Sequence, residues 1–185
     1  MLMADDDIID FKNFKKLENL VNQKNYDLIV TRYSIGENVI RCNKNKIKKI
    51  NLSELFESTT HAPGLLFNIE SSKNFVDKLN YQITENYEDI KVYPQVCLSY
   101  YILKNKNESI WYPLEVVLQG LELPSGINTG SQPYWSILNR IKQYKSFIKR
   151  FNSNNKDYFA NYSAYKFFTS TIAVEIWKGI SSLSS

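Results

Sequence analysis

This chain of 185 residues is poor in the residue types that announce common chemistries: it has two cysteines, one histidine and six glycines. Cys42 and Cys97 are too few and too isolated for a disulfide framework or a zinc pattern, and read as free thiols of a reducing compartment. His61 has no partner nucleophile and acid in view, so it makes no catalytic triad. The few glycines form no phosphate-cradling loop and no dinucleotide fingerprint. Long hydrophobic runs are missing too. Lys166 and Glu175 interrupt the most apolar stretch, which excludes a membrane-spanning helix there. The N-terminus lacks the basic region and apolar stretch of a secretory signal. Charge of one sign is also scarce: 23 basic against 19 acidic residues give a net charge of +4, too weak to argue for a nucleic-acid partner.

What is present suits a folded domain. Hydrophobic residues make up 43% and charged residues 23%, the balance of a globular chain with a core. Thirteen Tyr and ten Phe suit surfaces that bind sugars or ring-bearing ligands. They equally suit a general compositional drift toward Asn, Lys, Ile and Tyr.

The most pointed feature is Met1-Leu2-Met3-Ala4-Asp5-Asp6-Asp7-Ile8-Ile9, an apolar run that delivers three carboxylates and turns apolar again. This pattern predicts the end of a buried strand at a sheet edge. In an extended chain Asp5 and Asp7 share a face, and Asp6 points away to support the turn. Two such carboxylates can hold a hard divalent cation, which in turn can hold a diphosphate. The bland alternative is an acidic cluster that complements the dipole of the next helix.

Further along, Phe11, Phe14, Leu17, Leu20 and Val21 predict a helix from Phe11 to Lys24. Strands are predicted at Tyr26–Tyr33 and Val39–Cys42, with a turn between them. Lys44–Lys49 is a basic loop or edge, and Ser53–Phe56 starts a short helix. Pro63-Gly64 introduces a strand at Leu65–Ile69, followed by a helix through Leu79 capped by Ser71 or Ser72. Glu88-Asp89 precedes an apolar helix over Val92–Leu103, with Pro94 in its first turn. Ile110–Leu118 is extended, and Pro113 marks an edge or a bulge. Residues 120–133 form the principal loop, and 121–133 divides a first region, 1–120, from a helical extension, 134–185. That extension holds helices over Tyr134–Arg150 and Tyr158–Ile180, a turn at Asn152–Asn155 and a frayed end at Ser181–Ser185. This order is α/β and compatible with a parallel sheet, though it has too few strands for a doubly wound one.

These residues resemble the C-terminal half of a family two glycosyltransferase of the GT-A fold. The likeness covers about residues 1–120. Leu2–Ile9 looks like that family's metal-binding strand end, Pro63–Phe67 like its strand beside the acceptor, and Glu88-Asp89 sits where it keeps its catalytic carboxylate. The resemblance implies a partial GT-A-like sheet and a metal-dependent, inverting sugar transfer. The donor is a nucleotide-sugar, and the acceptor is a saccharide or lipid-linked molecule of surface polysaccharide assembly. Asp5 and Asp7 would anchor Mn²⁺ or Mg²⁺, and through it the donor. Of the pair Glu88-Asp89, Asp89, nearer the helix, would be the base ahead of Glu88, with Glu85 in reserve. The family's base- and ribose-binding half is expected upstream. The alternative function is a remnant or interaction module without donor binding.

Other features carry double readings. His61 is a loop histidine or faces the acceptor sugar. Cys42 and Cys97 are structural. Lys44–Lys49 is a solvated loop or steers phosphates. On the helix 134–150, Tyr134, Ile137, Leu138, Ile141, Tyr144 and Ile148 form one stripe, and Arg140, Lys142, Lys145, Lys149 and Arg150 crowd the rest. Such a helix packs its stripe on the domain, or lies on the inner face of an anionic membrane as part of a cytoplasmic, peripheral protein. The second helix, with Tyr158, Phe159, Tyr162, Tyr165, Phe168, Ile172 and Ile176, would pair with it. An exposed sheet edge would also favour self-association.

Overall fold

The computed structural model describes residues 1–2, 7–35, 38–41, 45–84, 88–105, 108–118, 136–152 and 157–183. The element order is β1 (Ile8–Ile9), α1 (Phe11–Gln23), β2 (Leu28–Ile35), β3 (Asn38–Arg41), β4 (Lys48–Lys49), a 3-10 turn (Leu52–Glu54) leading into α2 (Leu55–Thr59), β5 (Leu65–Phe67), α3 (Ile69–Thr84), α4 (Glu88–Val92), α5 (Pro94–Lys104), β6 (Ser109–Glu115), β7 (Val117–Leu118), α6 (Ile137–Asn152) and α7 (Tyr158–Leu183). The class is α/β, as expected.

The sheet is mixed rather than parallel. Its strand order is β3-β2-β6-β4, and β5 also pairs with β2. Among the described strands only β2 and β6 run parallel; β3 and β5 pair antiparallel with β2, and β4 antiparallel with β6. β1 and β7 make a separate antiparallel pair. β6 lies between β2 and β4, which reaches only Ile110 and Trp111, and Pro113 stands beyond that pairing. It marks a bulge: Thr31 faces Tyr112 and Arg32 faces Glu115, and the register skips Pro113 and Leu114.

Alternation along the strands sends side chains to two cores. Leu28, Val30, Leu65 and Trp111 join Phe56, Tyr93, Cys97, Phe147, Phe151 and Phe168 beneath the helices α2 to α7. Ile29, Ile110, Tyr112 and Val116 point the other way, onto Leu17, Phe14 and Leu20 of α1. The helical side is dominated by rings. Phe56 meets Phe147 edge-on at 4.8 Å and stacks with Phe167 at 5.2 Å between centroids.

Caps explain several boundaries. Asp10 starts α1 by accepting from the backbone N–H of Lys12 and Asn13, at 3.0 and 3.2 Å. The α3 cap is Asn68, whose Oδ1 accepts from the Ser71 N–H at 3.1 Å, in place of the serines expected from sequence. Ser71 instead donates its hydroxyl to Asp27. Asp27 also accepts from the Glu108 N–H at 2.7 Å, so one carboxylate ties together the starts of β2, β6 and α3. α7 continues as helix to Leu183, past the point where fraying was expected.

Candidate functional site

The acid run is pinned at both ends. On one side, the Leu2 N–H donates to the Leu65 carbonyl at 2.8 Å, and the Gly64 N–H to the Leu2 carbonyl at 2.9 Å. On the other, Ile8 pairs with Leu118 and Ile9 with Val117. The Asp10 N–H then donates to the Val116 carbonyl at 2.9 Å. Asp7 is half-buried between these anchors. Asp5 and Asp6 lie outside the described residues. Among the described residues no group of three or more His, Cys, Asp and Glu side chains gathers as a metal cage.

The turn that receives Leu2 is built around Gly64 and Arg41. Gly64 adopts φ +75°, which side-chain-bearing residues rarely take. A Cβ there would fall 2.3 Å from Thr31 Oγ1 and 3.0 Å from an Arg41 guanidinium nitrogen. Arg41 is buried and threads the turn. Its Nε donates to the Thr31 carbonyl at 3.0 Å, and its other nitrogens donate to the carbonyls of His61 and Pro63. Its guanidinium also lies 5.8 Å from the Tyr33 ring centroid. This buried arginine has no counterpart in the sequence reading. The available signal was a lone cation between Ile40 and Cys42 in an otherwise apolar strand.

His61 sits on this turn, its ring 6.4 Å from that of Tyr33. Partial desolvation, then the Arg41 charge, hold its pKa below the ordinary 6.5. An exposed edge keeps that desolvation partial.

Asp89 is placed quite differently. It is fully buried on α4, and both of its oxygens are engaged by α6. Arg150 Nε donates to Oδ2 at 2.5 Å and Nη2 to Oδ1 at 3.2 Å, while Ser146 Oγ donates to Oδ1 at 2.6 Å. Burial opposes the Arg150 charge, but hydrogen bonding to Asp89 and nearby negative groups raise its pKa above the ordinary value. The Cys97 thiol approaches Asp89 Oδ2 at 3.7 Å. Burial, then the Asp89 charge, push its pKa well up, so it is a neutral thiol and not a nucleophile. Glu88 opens α4, and its side chain, like all of Glu85 and Cys42, lies outside the described residues.

Arg150 and Arg140 correct the sequence reading of α6. They were assigned to the outward charged face, but the buried line is Arg140, Gln143, Phe147 and Phe151. The helix is turned relative to the stripe expected from hydrophobicity, and Leu138 of that stripe is exposed. The reason is polar: Asp89 receives Arg150, and Arg140 hydrogen-bonds near Tyr93, whose pKa burial raises against the Arg140 charge. The basic segment around β4 meets acids: Lys48 pairs with Glu54 at 3.0 Å and Lys49 with Glu108 at 3.9 Å. No described helix is long and apolar enough to cross a membrane. In comparisons with known proteins, no family model, no curated protein and no solved structure matches this chain.

Proposed function

We propose that this chain carries the metal- and acceptor-binding side of a glycosyltransferase that moves a sugar from a nucleotide-sugar to a saccharide or lipid-linked acceptor. The observation that supports it most is the pinning of the acid run between the Gly64 turn and β7. Leu2, which leads into the acids, bonds to a turn shaped by a glycine and a buried arginine. Asp5 and Asp7 would hold Mn²⁺ or Mg²⁺ through hard oxygen ligands. The cation's chemistry, when bound, is to stabilise the charge that grows on the leaving diphosphate.

The base of the reaction falls to the Glu88-Asp89 pair in this reading. Asp89 can take a proton only by releasing Arg150 or Ser146, which makes Glu88 the member to test first for proton removal. A lipid-linked acceptor and a cytoplasmic, membrane-peripheral location belong to the same proposal. The runner-up reading, a module without transfer activity, draws on one specific observation: the engagement of both Asp89 oxygens.

The test is release of free sugar or transferred product from a panel of nucleotide-sugars, with Mn²⁺ or Mg²⁺ and then with a chelator. Metal-dependent turnover that Asp7→Asn abolishes supports transfer. Absence of turnover from every donor, with folded protein and metal present, favours the module.

A further inference from the structure

The outward faces of α6 and α7 differ from an ordinary solvated helix pair. The two helices pack on each other and bury Phe147, Phe151, Ala160, Ala164 and Phe168 inward. On α7, Tyr158, Tyr162 and Tyr165 recur at helical spacing opposite that buried line, and are 71%, 59% and 55% exposed. Trp177, one of the last described side chains of the same helix, is 73% exposed. On α6 the outward line is Leu138, Lys142, Lys145 and Lys149, at i, i+4, i+7 and i+11. Among the described side chains of both helices, the exposed charged ones are these three lysines and Lys166. The acids Asp157 and Glu175 are partly buried. Among the described residues, none of the four lysines meets a carboxylate.

We infer that this outward face of α6 and α7 docks on an anionic lipid bilayer surface. Tyr and Trp are the side chains that settle at the membrane–water interface, with an apolar body in the acyl boundary and a polar tip in water. The exposed lysines of α6 can reach anionic headgroups, while their aliphatic stems cover apolar surface. This contact differs from the one the sequence suggested: Tyr144 and Ile148 of the expected stripe pack against the core, and the lipid-facing side chains are those left outside. Charge complementarity selects the bilayer over a second copy of the chain. A second copy seated on the same face would bring lysine to lysine.

The test is flotation of the full chain with vesicles, without any sugar donor, so its outcome is independent of transfer activity. One set is phosphatidylcholine alone, and the other is equimolar phosphatidylcholine and phosphatidylglycerol. Binding is expected to the anionic vesicles, to weaken as salt is raised, and to be small on the neutral ones. Replacing Lys142, Lys145 and Lys149 together by Gln should weaken it on the order of a hundredfold, at about one Lys–headgroup attraction per site. Tyr158→Ser, Tyr162→Ser and Tyr165→Ser together should also release the chain while leaving its circular dichroism spectrum and urea midpoint unchanged. Three results would overturn the inference: no binding of the unaltered chain to anionic vesicles, equal binding by the lysine variant, or self-association through the tyrosines in a chain that ignores vesicles.

Discussion

Two acidic regions of this chain have similar residue types and opposite surroundings. Asp89 lies in the ring-rich core with both oxygens held by α6, whereas Asp7, the described acid of the N-terminal run, is half-buried just before β1, and the backbone on either side, at Leu2 and at Ile8–Ile9, is hydrogen-bonded. A carboxylate locked to an arginine organises packing; the proposed cation role belongs to the other region. Position relative to the core separates the two roles, and residue type alone does not.

The contrast breaks most severely at Asp89. Asp89→Ala leaves the Arg150 charge buried without its carboxylate, and the expected loss is about 3–5 kcal/mol of stability. Urea unfolding measures it. A variant as stable as the parent would mean that Asp89 does not brace α4 against α6. Gly64→Ala forces a Cβ onto Thr31 Oγ1 at a positive φ, and the expected cost is about 1–3 kcal/mol by the same measurement. Because Leu2 bonds to this turn, Gly64→Ala should also loosen the acid run, read as faster hydrogen exchange at the Leu2 amide. Asp10→Ala removes the α1 cap next to the run and should cost about 1 kcal/mol.

The smallest expected effect is a pH dependence from His61. Its folded pKa lies below the unfolded value of 6.5, so its neutral form contributes stability that is fully present above that value. The contribution fades as pH falls through the folded pKa. The chain with His61→Gln should therefore show a flatter stability profile below pH 6.5 than the parent, and parallel profiles would remove His61 as the cause.

Much of the fold was legible because periodicity reports burial. The five apolar residues of the first helix predicted α1 to within a residue, and the β-branched and aromatic content of Tyr26–Tyr33 predicted the central strand, found at Leu28–Ile35. The parallel sheet was misjudged because strand direction depends on which strands meet, and β5 and β4 are too short to declare partners. The face of α6 was misjudged because Arg150 counts as a surface residue until its buried partner Asp89, 61 residues away, is found. α7 shows the opposite error. Tyr158, Phe159, Tyr162 and Tyr165 were read as packing residues, yet they stand exposed, and Ala160 and Ala164 make the close contact. The acid run was legible as a pattern; of its three acids Asp7 is described, with backbone bonds on either side at Leu2 and Asp10. Arg41 was not legible, since its partners are carbonyls of a turn that no local pattern connects to β3.

The most direct measurement is a Mn²⁺ titration followed by the free-ion electron paramagnetic resonance signal, on the parent chain, Asp7→Asn and Asp89→Asn. A cation site on the acid run gives saturable binding in the parent that Asp7→Asn weakens at least about tenfold, the loss expected when one of two charged ligands goes. Asp89→Asn, in whatever fraction remains folded, keeps the parent affinity. Equal binding by the parent and Asp7→Asn, or a loss confined to Asp89→Asn, would contradict the division of labour between the two acidic regions.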